Sequence, residues 1–202
     1  MVLNNASEKL LAILADPISK KPITAEIKKV SGLIDLRVFC KNTQGFTEWE
    51  EGQVFFENWE KDSLGYDNQL KKYSYEIEID KPIYQKYKLS GSVLDIGAGP
   101  CTLREHLDDN YLQHYVGCDV YNPFFRIPDA KKASYTCLSN ECDFVLAAAE
   151  FLPFQDNTFD FVHMRSMIDH LQIPDLAILE AKRVLKVDGK LIIGTLIDPE
   201  GF

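Results

Sequence analysis

The chain has 202 residues, 46% hydrophobic and 26% charged, with a formal net charge of −9. That length buries a full core as one domain plus an appendage. The acidic balance disfavours broad electrostatic binding to nucleic acid, and no apolar run approaches the ~20 residues of a membrane span. The N-terminus M-V-L-N-N-A-S-E-K-L lacks a basic region followed by an apolar core, so no signal peptide is expected. Five cysteines (Cys40, Cys101, Cys118, Cys137 and Cys142) form no C-x-x-C pair and point to a reducing, cytoplasmic setting.

Residues 4–15 are predicted as a short helix with Leu10, Leu11 and Leu14 on one face, capped by Asn5 or Ser7 and ended by Asp16-Pro17. I-T-A-E-I-K-K-V and L-I-D-L-R-V-F-C alternate about Ser31-Gly32 and read as a hairpin, with one more short strand at 53–56. Residues 58–90 form a polar, aromatic connector. Within it 67–75 and 79–88 read as helices, with Pro82 in the first turn of the second.

The most informative stretch is 92–107, S-V-L-D-I-G-A-G-P-C-T-L-R-E-H-L. Val93, Leu94 and Ile96 suit a central parallel strand. Asp95 interrupts them, and a buried acid is costly unless donors surround it. Gly97 and Gly99 mark a sharp turn, and a helix is expected from about Pro100. Strand, glycine turn and helix together predict a nucleotide-cofactor site at the carboxyl edge of a sheet. A dinucleotide pattern fails, because Thr102 stands at the third glycine. The next strand, 115–120, ends near Asp119, about twenty residues beyond the turn, where a doubly wound fold places a carboxylate for ribose hydroxyls. Residues 121–140 are irregular. Strands follow at 144–147 and 159–164, then a helical stretch at 166–171. A helix at 173–185 turns Leu176, Leu179 and Val184 inward, and a fifth strand opens at Gly189. Right-handed crossovers give an α/β, Rossmann-like doubly wound parallel sheet ordered 3-2-1-4-5.

V-L-D-I-G-A-G-P-C resembles motif I, D/E-x-G-x-G-x-G, of the class I S-adenosylmethionine-dependent methyltransferases; Asp95, Gly97 and Gly99 match and Cys101 replaces the last glycine. A-A-E-F-L-P-F-Q-D-N-T-F-D-F-V resembles the D-A-E-x-L-P-F-x-D-x-x-F-D-x-V block of the type 11 branch, with Ala148 where an acid commonly binds the adenine amino group. The resemblance implies S-adenosylmethionine as cofactor, S-adenosylhomocysteine as its product, and no metal. It places the cofactor against Asp95, Gly97, Ala98, Gly99, Asp119, Val120, Ala149, Glu150, Phe151 and Met164, with Asp119 on the ribose and Phe151 over one adenine face. His163, Asp169 and His170 follow the fourth strand and are the candidates for catalysis. The connector is expected to pack over the cofactor. The methyl acceptor is expected to be a small molecule, with neither nucleic acid nor membrane as partner.

The family's sheet ends in two further strands as an antiparallel hairpin, and these are expected to be missing before Phe202. Either the sequence is a piece of a longer chain or another chain supplies the edge, in which case the open edge would suit a protein partner or a homodimer. The first residues resemble a small zinc-ribbon module through L-L-A-I-L-A-D-P-I-S-K. Asp16 and Ser19 stand where its first cysteines would be, and only Cys40 remains of the second pair, so the ribbon fold is expected without zinc. The expected boundaries are 1–57 for this α+β hairpin module, 58–90 for the connector and 91–202 for the cofactor domain. A non-catalytic methyltransferase-like protein that binds or regulates a partner is the alternative, favoured by Cys101, Ala148 and the lost zinc ligands.

Overall fold

A computed structural model describes residues 6–24, 26–30, 32–59, 63–121 and 142–195, without the side chains of 55–73 and 76. The predicted irregular stretch after Tyr121 lies almost wholly outside them. Seven strands form one sheet: β1 (Lys29–Val30), β2 (Leu33–Asp35), β3 (Gly91–Ile96), β4 (Leu112–Asp119), β5 (Asp143–Leu146), β6 (Phe159–Arg165) and β7 (Leu185–Gly194). Their order is β1-β2-β5-β4-β3-β6-β7. Every neighbouring pair is parallel except the β1–β2 hairpin. The strands from Gly91 onward therefore stand in the predicted order 3-2-1-4-5.

Period-two alternation divides the core. One face presents Leu94, Ile96, Val116, Cys118, Val145, Val162 and Met164 to helix α4 (Pro174–Val184) and to Leu10 of helix α1 (Glu8–Ile13). The other presents Val93, Tyr115, Phe144, Leu146 and Phe161 to Tyr84, Leu89, Leu103 and Leu107. Both faces are covered, which is why β3 reads as a nearly continuous apolar run.

The N-terminal segment extends the same sheet and shares its core: Leu10, Leu14 and Ile34 lie in one cluster with Leu94 and Val162. β2 pairs with β5, and the Arg37 guanidinium donates to the Val120 carbonyl at 2.9 Å, next to the end of β4. Where the ribbon resemblance would put a cysteine, Asp16 Oδ1 accepts from Ser19 N at 2.7 Å and Ile18 N at 3.2 Å, closing the turn by hydrogen bonds. The backbone bond from Ser19 holds the Asp16 carboxyl below its ordinary value.

Four sequence expectations are corrected. Residues 53–56 belong to helix α2 (Phe46–Trp59), not to a strand. Trp49 packs its ring against Phe39 and Phe46 at centroid distances of 5.4 and 5.8 Å. The connector's two helices are one, α3 (Ser63–Tyr87), continuous through Pro82. A proline inside a helix costs about 3 kcal/mol, and Asp80 and Tyr84, one turn apart across it, are both anchored to the sheet as described below. The expected α-helix after motif I is only a 3₁₀ turn, Thr102–His106, because Cys101 adopts a left-handed backbone (φ 61°) that α geometry does not continue. In α4 the inward residues are Ala177, Glu180, Ala181 and Val184, whereas Leu179 is 62% exposed. The alanines allow close approach to the sheet, and Glu180 is met by Lys20 Nζ (2.5 Å) and Arg183 Nε (2.8 Å). Among the described residues no helix is long and apolar enough to cross a membrane.

Asp143 ties α1, β4 and β5 together. Its carboxylate accepts from Ser7 N at 3.1 Å and from the Ser7 hydroxyl, and it pairs with His114 Nε2 at 2.7 Å. Burial pushes the Asp143 pKa up, but the bonds from His114 and Ser7 outweigh it and hold the carboxyl below its ordinary 3.8. A carboxyl depressed on folding contributes stability that is fully present above 3.8 and lost as pH falls through its folded value. Asp143→Ala is expected to cost about 1–3 kcal/mol at neutral pH and to weaken the loss of stability on acidification. Urea unfolding of both proteins across the acid range measures each effect.

Candidate functional site

A cleft of about 250 Å³ opens at the carboxyl ends of β3, β4, β5 and β6. Its floor is the loop Gly97–Pro100, with Asp119, Val120 and Tyr121 on one side and Ala147, Ala149 and Glu150 on another. His163, Arg165, Ser166 and Met167 close the β6 side, and Trp49, Gln53, His170 and Leu171 stand at the mouth.

The two loop glycines do different work. Gly97 has φ 68°, and a Cβ there would lie 2.9 Å from Met167 Cβ, so it serves the fold. Gly99, at φ 49°, would meet nothing within 4 Å, so it leaves open space at the cleft floor. The loop is pinned from β4. Gly97 N and Ala98 N donate to the Cys118 carbonyl at 2.8 and 3.1 Å, and Gly99 N donates to Asp119 Oδ2 at 3.0 Å. Asp119 Oδ1 accepts from Tyr121 N at 3.3 Å, and the residue is only 7% exposed.

Asp95 explains itself through its donors. The Tyr115 hydroxyl donates to Oδ2 at 2.7 Å, and His163 Nδ1 lies 2.7 Å from Oδ1. Burial and the Asp95 charge push the Tyr115 pKa well up, so its hydroxyl keeps its proton. On the far side of the imidazole, the Tyr84 hydroxyl lies 2.5 Å from Nε2. A carboxylate only accepts, so the network assigns the imidazole proton to Nδ1 and leaves Nε2 to accept from Tyr84. Both His163 nitrogens are thus engaged within the protein. Although His163 lines the cleft, its ring is a link in a buried chain rather than a base with a nitrogen turned to a ligand. Beside it, Arg165 Nε pairs with Asp80 Oδ2 at 2.5 Å. Residues 163 and 165 of β6 therefore hold residues 84 and 80 of α3, the two anchors that flank Pro82.

The remaining predicted residues divide. Ala98, Val120 and Ala149 line the cleft. Glu150 lines it too, but its Oε1 accepts from Gln172 N at 2.8 Å and Ile173 N at 3.1 Å, which caps the start of α4. Phe151, Met164 and Asp169 are not among the lining residues. Met164 points into the opposite face of the sheet and is fully buried, as strand alternation from His163 requires. The Asp169 carboxylate is 69% exposed, whereas the neighbouring His170 does reach the cleft. Sequence reasoning missed Trp49 and Gln53. They are one helical turn apart on α2, and both donate to the His170 carbonyl, at 2.8 and 3.4 Å. Their i, i+4 spacing was a readable signal, hidden by the strand assignment.

Residues 94–193 match the methyltransferase domain family. An uncharacterised protein of Methanocaldococcus jannaschii is 45% identical over 58 residues, 29% of this chain and 28% of its own. The ubiquinone/menaquinone biosynthesis C-methyltransferase of Agrobacterium fabrum is 34% identical over 106 residues, 52% of this chain and 40% of its own. A solved protein from Pyrococcus horikoshii superposes with a TM-score of 0.54 at 28% identity, covering 68% of this chain and 60% of that one. The chain thus spans well under half the length of these curated relatives.

Removing the imidazole strands two buried groups at once. His163→Ala is expected to destabilise the protein by about 3 kcal/mol, because Asp95 and Tyr84 both lose a partner out of water. Tyr84→Phe is expected to cost about 1 kcal/mol, since it deletes one bond and leaves a nitrogen unpaired. Chemical denaturation of the two variants against wild type tests the order and the sizes.

Proposed function

We propose, from the premise that the domain over residues 94–193 belongs to the class I S-adenosylmethionine-dependent methyltransferase family, that the cleft binds S-adenosylmethionine and serves methyl transfer to a small-molecule acceptor. The observation that carries this is the pairing of open space over Gly99 with the Asp119 carboxylate at the ends of adjacent strands. The residues fit the cofactor's chemistry. The loop Gly97–Pro100 offers close backbone approach without a helix N-terminus, which suits a ligand with no phosphate. Asp119 would accept from two ribose hydroxyls, and Val120, Ala147, Met167 and Leu171 line the cleft with apolar surface for a purine.

When bound, the cofactor supplies an electrophilic methyl group on a sulfonium. The protein's task is then chiefly to hold the acceptor in line and exclude water, worth up to roughly 7–11 kcal/mol in ideal cases. Trp49 and Gln53, fixed on the His170 carbonyl, wall the mouth where an acceptor would enter. Because the His163 ring is occupied, any proton transfer falls to His170, whose side chain is 40% exposed at that mouth. A reducing, cytoplasmic setting belongs to the same proposal, supported by the free thiols Cys40, Cys101, Cys118 and Cys142. A partner at the sheet edge does too: Val187 and Ile193 of β7, one of the two edge strands among the described residues, are 84% and 43% exposed.

Calorimetric titration with S-adenosylhomocysteine tests the site. Asp119→Ala is expected to weaken binding roughly thirtyfold, or about 2 kcal/mol, since it removes both the ribose acceptor and the anchor of Gly99 N. Asp119→Asn keeps an acceptor for Gly99 and is expected to fall between that variant and wild type. Equal affinity across all of them removes the ribose role from Asp119.

A further inference from the structure

Helix α3 carries apolar side chains on two faces, and the sheet covers one of them. Toward the sheet it turns Ile77 and Tyr84, which pack in the core, and Asp80, which is tied to β6. On the outside Tyr75, Ile79, Ile83 and Tyr87 follow one another at intervals of four residues, each between 43% and 65% exposed. A single exposed apolar residue is ordinary on a protein surface. Four large ones in line are not, because residues spaced by four form one continuous ridge along a helix. The ridge is also self-similar: in either direction it reads Tyr, Ile, Ile, Tyr at equal spacing.

We propose that this ridge docks a second copy of the chain, α3 against α3, antiparallel about a two-fold axis that passes beside residue 81. A two-fold contact needs a patch complementary to itself, and the repeated order supplies one: Tyr75 lies beside the partner's Tyr87, and Ile79 beside the partner's Ile83. Ridges of this spacing interlock at a crossing angle of about −50°. The charges set the direction. The sequence carries Glu76 and Glu78 before the midpoint of the ridge and Lys86 and Lys88 after it. Antiparallel packing brings the acidic end of one helix to the basic end of the other, whereas parallel packing opposes like charges. Lys81 stands at the midpoint itself, but it lies about 200° round the helix from both Ile79 and Ile83. Its Nζ is 3.9 Å from Glu78 Oε1, so the axis sets no lysine against its own copy. This surface is separate from the β7 edge, and the cleft is left open to its ligands.

Sedimentation velocity on the full chain tests the pairing. Wild type is expected to pass from monomer toward dimer between about 1 and 300 μM, since one helix crossing is a small interface. Ile79→Arg and Ile83→Arg are each expected to weaken association roughly tenfold or more. Both side chains are exposed, so the unfolding midpoint of dilute, monomeric protein is expected to stay that of wild type. Val187→Arg, on the β7 edge, is expected to dimerise as wild type does. A mixing experiment checks the direction. Ile79→Lys and Ile83→Glu, each weakened alone, are expected to associate when mixed, because antiparallel packing sets position 79 beside the partner's position 83. A wild type that stays monomeric throughout the range overturns the proposal. So does a dimer that survives both arginine substitutions, one that Val187→Arg dissociates, or a mixture that associates no better than its components. None of these readouts needs the cofactor, so they stand or fall apart from the methyltransferase reading.

Discussion

The carboxylate of Asp95 is the constraint around which this molecule is arranged. It sits at the end of the central strand, 3% exposed, where an acid without donors would cost several kcal/mol. Tyr115 from β4 and His163 from β6 supply the donors, so the three innermost strands are joined by side chains as well as by their ladders. Tyr84 continues the chain into α3. The chain of bonds that starts at this acid, together with the Arg165–Asp80 pair, fastens α3 to the sheet on both sides of Pro82.

The same network reshapes the chemistry of the cleft. An imidazole with both nitrogens engaged is rigid and of fixed tautomer. His163 thus presents a well-defined wall instead of a mobile base. Asp119 holds Gly99 from the adjoining strand, and Glu150 holds the start of α4. These two acids are each partly spent on backbone donors, so the loops they hold are preorganised. Such an arrangement suits a reaction whose electrophile is already activated and whose catalyst mainly positions.

Much of this was legible in the chain itself. Period-two apolar runs, the glycine turn and an acid at the second strand's end predicted the sheet order and the cleft. The misreadings share a cause. Met164 follows His163 on β6, and successive side chains of a strand point to opposite faces, so it packs in the core behind the sheet and not beside the cleft. Leu179 was taken as core because it is apolar, but α4 approaches the sheet on Ala177 and Ala181, and leucine at that contact would hold the helix away. Residues 53–56 looked strand-like in isolation, but Gln53 lies one helical turn beyond Trp49 and both donate to the distant His170 carbonyl, a tie that no local pattern shows.

What the sequence determined alone is therefore what local periodicity and backbone chemistry govern: the five parallel strands from Gly91 onward, their crossovers, and the turn at Gly97 and Gly99, whereas the choice of Ser7 over Asn5 as the cap of α1 came from the structure. What only the tertiary structure decided is which polar groups spend their hydrogen bonds on one another. Asp95, His163 and Tyr84 are separated by up to 79 positions in the chain, and no local pattern relates them. Their pairing follows from burial, which removes water as an alternative partner and obliges each donor to find an acceptor across the fold.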